Sequence, residues 1–160
     1  MYQNLQQTKG LVQGVFDKVF DKYDLMNDLM SFGVHRYWKN ELIRIMKPNK
    51  YQNLVDVACG TGDIGLLFSR ATNNESKILS IDPNNKMIKI GKDKLAKYPN
   101  IEWKIGSAEK LDIPDNSFNF YTISFGLRNT KNLKTSISEA YRVLNKGGRL
   151  IGIHSFGNDP

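Results

Sequence analysis

The chain has 160 residues, 40% hydrophobic and 24% charged, with a formal net charge of +7. That length carries one domain with a sizeable core, and no apolar run approaches the roughly 18 residues that span a bilayer. The polar start "MYQNLQQTKG" has no signal-peptide core, Cys59 is alone and cannot close an internal disulfide, and no Cys/His cluster suggests a metal.

A reducing, cytoplasmic compartment is therefore expected. The positive charge fits nucleic acid, an anionic membrane surface or a solvated surface. Lys86, Lys89, Lys92, Lys94 and Lys97 lie on one predicted helix, and the other lysines are scattered. With no arginine-rich block or RNA-binding signature, a solvated surface is the leading reading, and no nucleic-acid partner is expected.

In chain order, "LVQGVFDKVFDKY" places Val12, Val15, Phe16, Val19 and Phe20 on one helical stripe. "DLMNDLMSFGVHRYWKNELIRIM" follows. Its second half reads as a helix with Leu42, Ile43 and Met46 on one face, stopped by Pro48. Residues 1–50 are expected to form a helical cap segment and residues 51–160 a cofactor-binding core, both in a single domain 1–160.

From Leu54 strands and helices alternate. "NLVDVA" is a buried strand, "DIGLLFSRA" a helix, "KILSID" a second strand, and "NKMIKIGKDKLAKY" a second helix of this core. "IEWKIG" and "FNFYTISF" are strands three and four. "LKTSISEAYRVL" is a helix ended by Gly147-Gly148, and "RLIGIHSF" is strand five. The expected fold is α/β, a Rossmann-like, doubly wound, mostly parallel sheet. Ligands in such sheets bind at the carboxyl ends of the strands, here the loops after Val57, Ile81, Ile105 and Ser124.

"VDVACGTGDIG" holds a literal G-x-G-x-x-G in Gly60, Thr61, Gly62, Asp63, Ile64 and Gly65. Such a loop can be a plain strand-to-helix turn, or it can bring backbone close to a cofactor. Asp63 is expected at about the helix N-cap, where a carboxylate occupies the position a pyrophosphate would need. Two unit charges about 4 Å apart interact by about 4 kcal/mol at an effective dielectric of about 20. With Asp56 as a second acid, the pocket rim is expected to be negative. It would favour a cationic ligand such as S-adenosylmethionine over a dinucleotide. Asp82, closing strand two, can accept from ribose hydroxyls in either ligand, or simply cap a turn with Pro83. Ser107 and Ala108, after strand three, can contact an adenine edge.

These residues resemble a known family. "VDVACGTGD", "SID", "GSAEKLDIPDNSFN" and "RVLNKGGRL" resemble class I S-adenosylmethionine-dependent methyltransferases. "YDLMNDLMSFGVHRYWK" and "YTISFGLRNT" resemble, more specifically, the ubiquinone/menaquinone biosynthesis C-methyltransferases. The resemblance implies methylation of a ring carbon of a polyprenyl quinol. The quinol would be a demethylmenaquinol, a methoxy-benzoquinol, or both. It implies that Gly60, Thr61 and Gly62 bind the methionine part, Asp82 the ribose and Ser107-Ala108 the adenine. Ser124 would line the pocket, and Tyr23 to Trp38 would close over it. The lipid substrate implies transient contact with the inner membrane.

Ala58 stands for the first glycine of the general class I motif, which this family tolerates; departures from the family pattern are Asn119 for an aspartate, Lys146 for a proline and His154 for a glutamate. The family also continues beyond Pro160. The chain is therefore expected to lack the final strands, and the open sheet edge to be covered by self-association or a partner. For catalysis, Arg128 can stabilise a quinolate oxygen with Asn129 beside it, and His35 can take a proton. Each can equally be an anchoring or packing residue. A binding-only fragment, a nicotinamide oxidoreductase and an RNA methyltransferase are the competing functions.

Overall fold

The computed structural model describes residues 33–124, 126 and 129–153. The predicted helix over residues 11–23, together with Tyr23, Met26, Met30, Phe32, Arg128 and His154, lies outside the described residues. The chain divides into two compact units, Met1–Trp38 and Lys39–Pro160.

Helix α1 runs Val34–Met46, and Lys47 leaves it with φ +44, just before Pro48. The order then is β1 (Leu54–Val57), α2 (Asp63–Ala71), β2 (Ile78–Asp82), α3 (Asn85–Lys94), β3 (Ile101–Ile105), β4 (Phe118–Ser124), α4 (Leu133–Val143) and β5 (Leu144–Ile153). The sheet order is β3-β2-β1-β4-β5, and every neighbouring pair is parallel. The order reverses direction between β1 and β4, which is the switch point where open α/β sheets bind ligands. The expected doubly wound fold is found.

One expected boundary is corrected. Gly147-Gly148 does not end α4. The helix stops at Val143, and its cap residue Leu144 is already extended, at φ −77 and ψ 136. Both glycines fall inside β5, where Phe118 pairs with Leu144 but Phe120 with Arg149. The extra residues bulge from the ladder, and Gly147 takes φ +81 there.

Side chains alternate across the strands, so each face has its own chemistry. Val55, Val57, Tyr121 and Ile123 pack with Ala140 and Val143 of α4. On the opposite face Leu54, Ile78 and Phe120 pack with Phe68 of α2 and with Leu42 and Met46 of α1. Phe68 and Phe120 meet edge to face at 5.5 Å, which adds about 0.5–1.5 kcal/mol beyond the area they bury. Arg149 of β5 donates to the Met46 carbonyl at the end of α1 and lies 4.9 Å from the centre of the Phe120 ring. That tie holds the second half of α1 against this face.

Candidate functional site

The face beneath α2 changes character along the strands. At their starts it is apolar, with Leu54, Ile78 and Phe120 in register. One step toward the carboxyl ends it becomes a polar row of Ser80, Asp56 and Thr122, all essentially buried. One step further come Asp82 and Ser124. Polar groups in a core are costly unless hydrogen-bonded. Here the Thr122 hydroxyl donates to Asp56 Oδ1 at 2.8 Å. Asp56 Oδ2, Ser80 Oγ and Ser124 Oγ are buried with no hydrogen-bond partner among the described residues. This end of the sheet is short of partners.

The glycine loop sits over that row. Ala58 turns the chain with φ +54, Cys59 N–H donates to the Ile81 carbonyl at 3.1 Å, and Gly60 follows at φ +57. Asp82 fixes the turn. Its Oδ2 accepts the Gly60 N–H at 2.9 Å and its Oδ1 accepts the Asn84 N–H at 2.8 Å. The Gly106 N–H reaches the Asp82 carbonyl at 3.2 Å, drawing the loop after β3 to the same point. Three strand ends therefore converge on Asp82.

The three glycines do different work. A β-carbon on Gly60 would meet nothing within 4 Å, so this position presents bare backbone to open space. A β-carbon on Gly62 would overlap the Trp103 ring, and one on Gly65 would lie 3.3 Å from Ile78 and Ser80. Only Gly60 leaves room for a ligand. Gly62 and Gly65 let β3 and β2 pack close.

The expected negative rim is not what the structure builds, and two expectations are corrected. Asp63 is not the N-cap of α2. Gly62 is, in left-handed conformation, and Asp63 is the first residue of the helix. Its carboxylate instead takes Lys39 Nζ at 2.7 Å and Lys94 Nζ at 2.6 Å. Burial opposes its charge, but the two ammonium groups outweigh that and hold the carboxyl at about 2. Asp56 is not on a rim either, being 1% exposed. Burial pushes its carboxyl up to about 7, against the hydrogen bond from Thr122 and the charge of Lys39. With two lysines on one acid and the other acid half neutral near pH 7, charge alone does not bar a diphosphate here. The physical reason is distance in sequence. Lys39 is 24 residues and Lys94 31 residues from Asp63, so nothing in the loop itself announces them.

The Thr61 hydroxyl accepts from Lys94 Nζ at 3.3 Å. Ser107 is half buried in a tight turn with Lys110, whose N–H reaches the Ser107 carbonyl at 3.2 Å. Ala108 is buried in the core. Asn129 is exposed and donates its N–H to the Gly126 carbonyl at 3.0 Å. His35 is half buried in the first turn of α1. The Cys59 thiol, pushed well above its ordinary value by burial and by Asp56, is no nucleophile. Among the described residues no group of three His, Cys, Asp or Glu side chains could hold a metal ion, and no helix is long and apolar enough to cross a membrane.

Sequence reasoning missed Lys39, Lys94, Thr122 and Trp103. Only Trp103 left a signal. Gly91 interrupts the middle of α3, where glycine is unfavourable, and a β-carbon there would overlap the same indole.

A model of the ubiE/COQ5 methyltransferase family matches residues 2–156. The ubiquinone/menaquinone biosynthesis C-methyltransferase UbiE of Rickettsia bellii is 45% identical over 151 residues, covering 91% of this chain and 60% of that protein. The protein of the same name from Rickettsia akari is 46% identical over 149 residues, covering 89% and 60%. The chain thus spans about 60% of the length of these curated relatives. Among solved structures, an S-adenosylmethionine-dependent methyltransferase from Aquifex aeolicus superposes with a TM-score of 0.62 at 20% identity, covering 67% of this chain and 58% of that one. That likeness speaks to the fold alone.

Proposed function

The chain belongs to the ubiE/COQ5 methyltransferase family, and from that premise we propose that it binds S-adenosylmethionine and takes part in C-methylation of a polyprenyl quinol. The observation that carries this reading is the family match over residues 2–156. The site fits the cofactor on its own terms. Gly60 offers backbone with an open face, Asp82 holds that backbone from below, and Asp56 Oδ2 and Ser124 Oγ are buried without partners beside it. An adenosyl group with an amino-acid end has the hydroxyls and ammonium these groups lack.

Bound S-adenosylmethionine supplies an electrophilic methyl group on a positive sulfur. The chain's part is to bind, align and exclude water. Each oxygen of Asp82 has a lone pair beyond its backbone bond, so it can accept a ribose hydroxyl without releasing Gly60. Ser107 and Ala108 would face the adenine, and Thr61 with Gly60 the methionine part. Arg128 would stabilise quinolate oxygen with Asn129 beside it, and His35 would take the phenolic proton. Deprotonation makes the ring carbon a better nucleophile. A substrate with a polyprenyl tail would bring the protein transiently to a lipid surface.

Calorimetry of the whole chain with S-adenosylmethionine and with NAD, followed by transfer of a labelled methyl group to a short-chain demethylmenaquinol, tests the reading. Binding of the sulfonium compound and label in the quinol ring are expected. Uptake of NAD alone would overturn the proposal. Cofactor binding without label in the quinol would leave only its first half.

A further inference from the structure

Lys39 is the charge at the glycine loop that the proposed function leaves without a task. Its ammonium sits 2.7 Å from Asp63 Oδ2, while Lys94 already neutralises the same carboxylate through Oδ1 at 2.6 Å. Lys94 alone can keep Asp63 paired, so Lys39 can leave that carboxylate without stranding it. Lys39 is not a loose surface lysine. Its side chain is 26% exposed, and it projects from the half of α1 whose Leu42 and Met46 are built into the core. Its charge also reaches Asp56, whose Oδ2 is buried and unpartnered in the row below.

This arrangement holds an exchangeable cation beside two acids. A single added ion completes only half of an exchange. An added anion draws Lys39 away and leaves Asp63 with one cation fewer, and an added cation displaces Lys39 without giving it a partner. A zwitterion completes the exchange. Its ammonium can replace Lys39 at Asp63, and its carboxylate can receive the released Lys39. An α-amino acid carries both groups two bonds apart, about the spacing of a side chain exchanging one partner for a neighbour.

We propose that Lys39 is a specificity-determining residue that leaves Asp63 to bind the carboxylate of the cofactor's amino-acid end, whose ammonium takes its place. The inference rests on the cofactor reading above and adds to it the residue that selects the amino-acid end. In the ligand-free protein the Lys39–Asp63 pair keeps the position filled and the acids screened. A nucleoside without an amino-acid end gains nothing by breaking it.

The test is calorimetry of the whole chain with two thioethers that share the adenosyl group. S-adenosylhomocysteine has the zwitterionic end, and 5′-methylthioadenosine lacks it. Lys39→Gln is expected to weaken S-adenosylhomocysteine about tenfold, the usual loss for one charge-assisted hydrogen bond, and to leave methylthioadenosine within about twofold. Lys39→Arg is expected to stay close to the parent chain. The methyl ester of S-adenosylhomocysteine needs no variant, and it is expected to bind the parent chain about tenfold more weakly than the free acid. Equal effects of Lys39→Gln on both thioethers, or an ester that binds as well as the acid, would overturn the inference and leave the cofactor reading intact. A parent chain that binds neither thioether would overturn both.

Discussion

The ring of Trp103 occupies the space in which a side chain on Gly62 would have to begin. Trp103 comes from β3 and Gly62 from the loop after β1, so one indole braces the cofactor loop from a strand two positions away in the sheet. Gly62 also sits at φ +84, a conformation that disfavours any β-carbon. Gly62→Ala therefore meets two penalties and is expected to destabilise the chain by about 2–4 kcal/mol. Urea unfolding measures it. A midpoint within error of the parent chain would mean that the loop is not braced in this way.

Ala58 and Gly126 form a second close pair. Ala58 holds φ +54, and a β-carbon on Gly126 would overlap its methyl group. Gly126→Ala is expected to cost about 1–3 kcal/mol. Ala58→Gly removes the obstructing methyl, so the double variant should recover at least about 1 kcal/mol relative to the sum of the single changes. Simple additivity would count against direct packing between the loops after β1 and β4.

Asp56 gives a pH dependence whose direction follows from burial. Its folded value, about 7, lies above the ordinary 3.8, so between about pH 4 and 7 the folded chain holds a proton that the unfolded chain has lost. Stability from this group is present at low pH and falls as pH rises toward 7. A rise from 3.8 to about 7, at about 1.4 kcal/mol per pH unit, amounts to about 4 kcal/mol. Asp56→Asn keeps an acceptor for Thr122 and cannot ionise. It should be more stable than the parent chain by up to about 4 kcal/mol at pH 8 but by only about 1–2 kcal/mol at pH 5, the two converging below about pH 4. Denaturant unfolding at the two pH values checks this, and an equal difference at both would show that Asp56 does not titrate in that window.

Arg142 organises the segment that follows β3. Its Nη1 and Nη2 donate to the Ile113 and Leu111 carbonyls at 2.8 and 2.7 Å, and its Nε and Nη2 grip both oxygens of Glu139 at 2.8 Å. Glu139 in turn accepts the Leu111 N–H at 2.8 Å. A lysine carries the charge but not the planar fork. Arg142→Lys is therefore expected to lose about 1–3 kcal/mol and to open the segment around Leu111 to proteolysis. Limited digestion with mass analysis of the fragments follows it. Unchanged cleavage would show that the fork is dispensable.

Much of this protein was legible in advance because its signals are local. α2 begins and ends where its sequence reads as a helix, since Gly62 and Asp63 mark one end and the apolar spacing runs to Ala71. The parallel sheet follows from the alternation of short apolar runs with helices. Asn119, which departs from the family pattern, accepts the Asn53 N–H at 2.8 Å through its side-chain oxygen, an acceptor role that aspartate and asparagine share. The bulge in β5 was not legible. Two adjacent glycines stop a helix as readily as they distort a strand, and only pairing with β4 decides between them.

What the chain determined by itself is what neighbours along it can settle. That covers the element order, the doubly wound topology, the glycine turn and the position of Asp82 at a strand end. What the tertiary structure alone decided is charge. Asp63 reads as a bare acid until α1 and α3 bring Lys39 and Lys94 to it, and Asp56 reads as an ionised one until the sheet closes around it. The charge on a carboxylate depends on its solvent and on ions a few ångströms away. Those ions lie dozens of residues off along the backbone, and only folding assembles them.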